Sequence, residues 1–273
     1  MLGLHLLYIF IIVFYCMSVS GYFIDFIQNN QKVNRIAFWL LSIVWILQLI
    51  FLLLRALEYS RLPIMTIFEG MFFYSWILVT FSLIINKVYK MDFLVFVVNL
   101  VGFSILTISL FAPAGDVSAE FADLFILELL IIHVVMLLFA YGLFTLSFSF
   151  AMLYYFQHHM LKKKRWSDKM SRIGNLSLLE KRSFQSALFG FPFMLVGLIL
   201  GVIWGWTELA TFPWNDIKVL SSFLLLAMYG FYLFQYKVKQ KRGYGLTLLN
   251  IAAFLVLLIN YFLSSSFSQF HIW

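Results

Sequence analysis

The sequence predicts an all-α fold, a polytopic bundle of about eight transmembrane helices that forms one integral membrane domain over residues 1–273. Hydrophobic residues make up 63% of the chain and charged residues 11%, far outside the range of soluble domains. The apolar residues fall into eight runs, most of them close to the roughly 20 residues that cross a bilayer. Lysine and arginine are concentrated in alternate connections between these runs, as in multi-pass membrane proteins.

The eight apolar runs give the predicted helices in order. They cover residues 4–23, 36–54, 71–85, 93–111, 125–156, 186–206, 219–236 and 246–263. The first run has neither a basic leader nor a small-residue cleavage site, so we expect a retained helix rather than a signal peptide. The fifth run has 32 residues and measures about 48 Å as a helix, so it is expected to tilt or to project from the bilayer.

The basic residues predict the orientation. Summed over alternate connections, lysine and arginine number 16 on one side and 3 on the other. The positive-inside rule then places both termini outside, together with the acidic loop 112–124, the tryptophan-rich loop after the sixth helix and the C-terminal tail. The formal charge of +7 therefore reports orientation in a membrane, and we expect lipid rather than nucleic acid as a partner.

Several kinds of chemistry are disfavoured by what the sequence lacks. Cys16 is the single cysteine, which excludes an internal disulfide, a cysteine-rich zinc site and covalent c-type haem attachment. Charged residues lie near predicted helix ends, and the midplane has little beyond Asn99 and Gln48, so an ion-coupled transporter is disfavoured. No zinc-protease pair, serine elbow or phosphate-binding glycine loop occurs. We expect no enzyme activity.

Two histidines on the predicted outer face, His133 and His271, are candidate ligands of haem iron. Neutral imidazole is the commonest protein ligand for haem and metals, although a histidine in an apolar helix is more often a hydrogen-bonded structural residue. Topology places aromatic residues beside them: Trp204, Trp206, Phe212, Trp214 and Trp273. Such a surface suits a porphyrin, but an interfacial aromatic belt accounts for it equally well. The residues alone leave both interpretations open.

Two further segments have predicted roles outside the candidate haem site. Gly197, Gly201 and Gly205 form a small-residue stripe that favours close helix packing. The basic inner loop 158–182 suits anionic lipid, and a docking surface for a cytosolic protein is the alternative. His158 and His159 within it are expected to be interfacial, with an inner haem site as the second possibility.

The tryptophan-rich loop resembles that of the cytochrome c assembly (CcsA/CcmC-like) family, whose members handle haem through such a loop. The family loop reads Gly-x-x-Trp and then Trp-Gly-x-x-Trp-x-Trp-Asp-Pro-Lys-Glu. Laid on this chain without gaps, it matches at Gly201, Trp204, Asp216 and Lys218. It departs at Leu209, Pro213, Asn215, Ile217 and Val219.

Other segments extend the resemblance from about residue 60 onward. HVVMLLFAYGLF resembles the family's His-Val helix, and SQFHIW resembles its late Leu-His segment. The resemblance therefore implies that His133 and His271 are the external haem ligands. LPIMTIFEG, residues 62–70, is similar to a Pro-Leu-x-x-x-Phe/Tyr-Glu segment of the same family. Members that move haem across the membrane carry a further histidine after the loop, where this chain has Phe234.

These features together resemble the HemX-type branch of the family, found in the cell membrane of Gram-positive bacteria. The resemblance implies a non-enzymatic, negative effector of haem biosynthesis that lowers the amount of glutamyl-tRNA reductase. It implies non-covalent haem b between His133 and His271, with Asp216 and Lys218 fixing the loop or meeting the propionates. The implied haem surface is made by three tryptophans: Trp204, Trp206 and Trp214. The reductase would be met by inner loops 157–185 and 237–244.

Two other functions stay open at this point. One is a haem-handling or export subunit of cytochrome c biogenesis, which Phe234 and the missing loop tryptophans disfavour. The other is a structural or transport protein that binds no haem.

Overall fold

The described residues of the computed structural model, 2–89, 91–112, 128–163, 174–208 and 212–267, contain eight α-helices and no strand. In chain order these are α1 (Leu2–Gln28), α2 (Gln31–Tyr59), α3 (Ile67–Tyr89), α4 (Asp92–Ser109), α5 (Glu128–Lys162), α6 (Leu176–Glu208), α7 (Ile217–Lys237) and α8 (Tyr244–Phe267). Each is long and apolar enough to cross a membrane. The predicted all-α fold with eight spanning helices is confirmed, and the outside placement of the termini stays a prediction.

Helices α5 and α6 extend beyond their predicted ends. α5 continues to Lys162 rather than ending at residue 156, and α6 begins at Leu176 rather than at residue 186. The apolar criterion stops at the first polar turn, whereas good helix formers such as Glu180 and Lys181 continue the helix. Much of the predicted inner loop 157–185 is therefore helical. Pro192 lies in the middle of α6.

The chain divides into two compact units. The first contains Met1–Asp116 and Ser167–Gly174, hence α1 to α4, and the second contains Val117–Trp166 and Asn175–Trp273, hence α5 to α8. The sequence predicts a single membrane domain over residues 1–273. Whether the two units fold together as one domain stays a prediction.

The first unit is held together by tyrosines spaced seven residues apart on α1. Tyr8, Tyr15 and Tyr22 are all buried, because this spacing keeps side chains on one helix face. The Tyr8 hydroxyl donates to the Leu106 carbonyl oxygen at 2.7 Å, and the Tyr15 hydroxyl donates to Asn99 Oδ1 at 3.0 Å. Asn99, one of the two midplane amides noted in the sequence, thus joins α4 to α1.

The first unit also contains a buried cluster of charges at the turn from α2 to α3. Glu69, whose side chain is 1% exposed, accepts hydrogen bonds from Arg55 Nε at 3.0 Å and Arg61 at 2.8 Å. It also accepts from the backbone N–H groups of Met65 and Thr66. Sequence reasoning placed these charges near helix ends but missed their pairing, which joins two helices and their connecting turn.

In the second unit, α5 and α6 pack through glycines. A Cβ added to Gly197 would lie 2.8 Å from Leu137 Cδ2, and one added to Gly201 would clash with the His133 imidazole. The predicted role of these two glycines in close helix packing is therefore confirmed. One of them also positions a candidate ligand.

A polar cluster joins α5, α6 and α8 deeper in the second unit. Asn250 Nδ2 donates to Ser147 Oγ at 2.8 Å and to Ser183 Oγ at 2.7 Å. The Ser147 hydroxyl donates in turn to the Ser183 carbonyl oxygen at 2.7 Å. All three residues are buried, so these bonds satisfy polar groups that lipid cannot.

Candidate functional site

A cavity of about 130 Å³ lies among α5, α6, α7 and α8. Its wall is mostly aliphatic and aromatic, and Trp204 and Phe212 are part of it. The polar side chains of the wall are His133, Tyr141, Lys218, Ser222, Asn260 and Tyr261. Three of the seven residues predicted as a haem site therefore line this cavity: His133, Trp204 and Lys218.

His133 is held in one orientation by α6. Its side chain is 9% exposed, and its Nδ1 lies 2.6 Å from the Gly197 carbonyl oxygen. A carbonyl oxygen only accepts, so Nδ1 carries the proton and Nε2 keeps its lone pair in the neutral ring. Metal-binding histidines commonly donate their second nitrogen to a backbone carbonyl in this way. The hydrogen bond therefore fixes the ring and leaves Nε2 as its acceptor nitrogen.

Gly201 makes this orientation possible. The position of an added Cβ there would be 2.7 Å from His133 Nδ1 and 3.2 Å from Nε2, so the ring lies directly against the α6 backbone. Any larger residue would displace the imidazole. The Gly-x-x-Trp part of the loop motif thus has a physical basis, since Gly201 admits the ring and Trp204 lines the same cavity.

Asp216 and Lys218 begin α7. Asp216 is the N-cap residue, and its Oδ1 accepts from the Lys218 backbone N–H at 2.8 Å. Such a cap stabilises a helix start by roughly 1 kcal/mol. Asp216 therefore fixes the end of the loop by a polar contact. This contact corresponds to the first of the two roles expected for it, which were fixing the loop and meeting a propionate. Its cap places Lys218 in the first turn, where the side chain lines the cavity.

The ammonium group of Lys218 gives the cavity a positive charge. The ion pairs among the described residues are those of Glu69 with two arginines in the other unit. Asp216 acts electrostatically on Lys218, and no described carboxylate lies within ion-pair distance of its ammonium group. A cation in a largely apolar wall attracts an anionic group such as a carboxylate.

The predicted tryptophan surface is divided. Trp204 is buried at 5% exposure, whereas Trp206 and Trp214 are 64% and 49% exposed. The last two rings lie edge to face with centroids 6.3 Å apart, and they are not part of the cavity wall. Their exposure suits both a ligand surface and an interfacial belt. His271 and Trp273 lie outside the described residues, so the second proposed ligand stays a prediction.

Sequence reasoning missed Asn260. Its Nδ2 donates to Ser222 Oγ at 3.0 Å, which places an amide and a hydroxyl from α8 and α7 in the cavity wall. An amide within an apolar run is costly in lipid and points inward, and this signal was available in the last predicted helix.

His158 and His159 lie far from this cavity. They follow His133 on α5 by about 25 residues, or roughly 37 Å along a helix. The His158 ring stacks with Tyr244 at 5.0 Å, and His159 stacks with Tyr155 at 6.0 Å. Phe234 is 44% exposed and is also not part of the cavity wall.

The donor groups of the cavity fit haem, and its volume limits how haem would sit. An imidazole nitrogen suits the iron, and an ammonium suits a propionate. A volume of about 130 Å³ is below the roughly 300–1,000 Å³ of pockets that enclose whole ligands of this class. The residues therefore fit a haem that is only partly enclosed.

Comparison with known proteins identifies the family of the chain. The Cytochrome C assembly protein family matches residues 64–272, which include all of the cavity wall. Protein HemX of Bacillus subtilis (strain 168) is 46% identical over 260 residues, covering 95% of this chain and 94% of that protein. Protein HemX of Brevibacillus brevis is 42% identical over 259 residues, covering 95% and 94%. The chain therefore belongs to the cytochrome c assembly protein family, as a multi-pass membrane protein similar to HemX along almost its whole length.

Proposed function

We propose that this protein is a haem-linked regulator in the cell membrane of a Gram-positive bacterium. It catalyses no reaction and acts as a negative effector of haem biosynthesis by lowering the amount of glutamyl-tRNA reductase. Support for the role comes from the similarity to two HemX proteins and from the branch that the sequence resembles. The observation that carries the haem-binding part is the hydrogen bond from His133 Nδ1 to the Gly197 carbonyl oxygen.

The cavity residues would hold haem b without a covalent bond. His133 Nε2 would ligate the iron, and the Lys218 ammonium would meet a propionate. When bound, haem supplies an iron centre for imidazole nitrogen and two carboxylates for cations. Asp216 keeps Lys218 in place through the α7 cap, and His271 is the proposed second ligand. Trp206 and Trp214 would cover exposed parts of the porphyrin.

Haem titration tests the binding part of the proposal. The full chain, purified in mild detergent, is expected to give a six-coordinate, low-spin spectrum. His133→Ala and His271→Ala should each change the ligation, whereas His158→Ala is the matched control and should leave the spectrum unchanged. If neither of the first two substitutions alters the spectrum while the control does, the inner histidines are the ligands and the outer site is wrong.

Gene deletion tests the regulatory part. Loss of the protein is expected to raise the amount of glutamyl-tRNA reductase and to leave covalent c-type haem largely intact. The proposed partner surface includes 157–185, where α5 and α6 extend as basic helical ends, and 237–244. Replacing Lys162, Lys163, Lys164 and Arg165 with neutral residues should weaken the control. Topology must be measured in that variant, because the positive-inside rule uses the same charges.

A second candidate is a haem-handling or export subunit of cytochrome c biogenesis. The family match over residues 64–272 favours it. Phe234 disfavours a transmembrane relay, because a partly exposed phenyl ring offers iron no lone pair where haem-moving relatives carry a histidine. Unchanged reductase together with loss of c-type cytochromes in the deletion strain would establish this candidate and reject the regulator.

A further inference from the structure

α2 and α3 form an antiparallel pair. Three hydrogen bonds join them, spaced about two turns and then about one turn apart along α2: Arg55 Nε to Glu69 Oε1 at 3.0 Å, Gln48 Nε2 to Ser75 Oγ at 3.2 Å, and Trp45 Nε1 to Thr80 Oγ1 at 2.8 Å. The two residue numbers of each pair add to nearly the same value, which defines the register. Continued in that register, Ser42 would face Leu83.

At that point a groove of about 860 Å³ opens between the two helices. Its deeper part is lined by Phe38 and Ser42 from α2 and by Leu83 and Ile84 from α3. Towards the start of α2 and the end of α3 the lining becomes polar. The groove is therefore amphipathic along its length, with its polar end at the ends of the spanning helices.

The exposed charges at the polar end are cations. Arg35 and Lys87 line it and are exposed, whereas Asp92 is half-buried and Asp25, which accepts from Asn34, is fully buried. The ion pairs among the described residues are those of Glu69, so neither basic side chain takes part in one. Trp39, about two turns into α2, is 63% exposed, as is usual for tryptophan at a membrane interface. The charges thus lie where phospholipid headgroups lie.

The amides at this end are oriented by α1. Asn34 Nδ2 donates to Asp25 Oδ2 at 2.9 Å, and Asn86 Nδ2 donates to the Tyr22 hydroxyl at 3.0 Å. Both asparagines line the groove, and their Oδ1 atoms remain as acceptors. The polar end therefore combines two cations with amide oxygens that accept hydrogen bonds from hydroxyl groups.

We propose that this groove binds an anionic phospholipid whose headgroup carries hydroxyl groups, of the phosphatidylglycerol type. The phosphate lies between Arg35 and Lys87, the headgroup hydroxyls donate to Asn34 and Asn86, and one acyl chain runs along the apolar part. Basic pockets between helices at the cytoplasmic surface commonly bind anionic headgroups. The two exposed cations suit the single phosphate of such a lipid. The inference is independent of the proposed haem site, which lies in the other unit.

Lipid binding to the full chain tests the proposal. Delipidated protein in mild detergent is examined by native mass spectrometry with phosphatidylglycerol, with phosphatidylcholine of the same acyl chains, and with glycerol phosphate alone. Phosphatidylglycerol is expected to bind at least about tenfold more tightly than phosphatidylcholine. Equal binding of the two lipids would overturn the proposal, and equal binding of glycerol phosphate would show an anion site that uses no acyl chain.

Charge-matched variants locate the site. Arg35→Gln with Lys87→Gln should weaken phosphatidylglycerol binding about thirtyfold, because each basic residue near an anionic headgroup contributes about a factor of five. The control, Lys32→Gln with Lys239→Gln, removes the same charge from exposed positions that do not line the groove, and should change binding less than about twofold. Equal losses in both variants would reject the groove in favour of general surface charge.

A variant that keeps every charge separates binding from insertion. Leu83→Trp fills the apolar part of the groove and leaves the basic residues that determine topology unchanged. It should weaken phosphatidylglycerol binding even if the double glutamine variant does not insert. Unchanged binding in Leu83→Trp would mean that no acyl chain occupies this groove, and the proposal would fail.

Discussion

Gly201→Ala is the substitution that most directly tests how the cavity is built. The Cβ of alanine would overlap the His133 imidazole, with His133 Nδ1 only 2.7 Å away. Either the ring shifts and loses its 2.6 Å bond to the Gly197 carbonyl oxygen, or α5 and α6 move apart. Both responses alter His133, one of the two side chains that we propose as iron ligands.

The expected cost follows from three contributions. Overpacking a tight contact costs about 1–3 kcal/mol. Leaving the buried His133 Nδ1–H group without its acceptor costs about 1–3 kcal/mol. Alanine in place of glycine within a helix returns up to about 1 kcal/mol. The free energy of unfolding should therefore fall by about 1–6 kcal/mol.

Gly245→Ala is the matched control. It makes the same chemical change in another helix, α8, where nothing lies within 4 Å of an added Cβ. It should be neutral or stabilise the protein by up to about 1 kcal/mol. Thermal unfolding of both variants in one detergent gives the comparison, and haem titration gives a second measurement. Equal melting temperatures and equal haem spectra for the two variants would show that the His133 ring does not lie against Gly201.

Three further predictions concern the rest of the molecule. Glu69→Gln leaves two half-buried guanidinium groups without their buried carboxylate and should lower stability by up to about 3–5 kcal/mol, whereas exposed Glu58→Gln should have little effect in the same melt. Asn250→Ala removes the bonds that join three helices and should cost about 0.6–2 kcal/mol in thermal unfolding; no change would mean the cluster contributes nothing. In a cysteine-free background, Trp214→Cys should react with an impermeant thiol reagent from outside and Lys163→Cys only from inside, and the opposite pattern would reverse the predicted topology.

The eight helices were predictable because lipid leaves few choices. A segment in the bilayer must satisfy its own backbone hydrogen bonds, so each apolar run becomes a helix. The ends of α5 and α6 were not predictable from apolarity, since polar turns continue both helices beyond the runs. The pairing of Glu69 with two arginines was also missed, because it depends on how the turn after α2 folds back.

The candidate site was partly predictable. Topology alone brought His133 and Lys218 to the same predicted face, and the structure brings both to one cavity. The bond to Gly197 was not visible in the sequence, because it depends on the register of α5 against α6. The contact of Asn260 with Ser222 depends likewise on the register of α8 against α7. Such registers come from side-chain packing, which periodicity does not specify.

Most residues that match the family's loop motif lie at the cavity, and most of the described departures lie outside it. Gly201, Trp204 and Lys218, which match the motif, meet the cavity or its histidine, and the matching Asp216 caps the helix that carries Lys218. Among the described departures, Asn215 and Ile217 are exposed and Pro213 is half-buried outside the cavity wall.

Val219 is the departure that changes the chemistry of the cavity. It is 8% exposed and lines the wall beside Lys218, where the family motif has glutamate. A glutamate there would compete with a ligand carboxylate for the ammonium group, and valine cannot do so. The chain thus retains the imidazole, the cation and the small residue that admits the ring, and Asp216 is the carboxylate that still acts on the cation. This combination favours an anionic ligand bound at the cavity over one held by the exposed tryptophans alone.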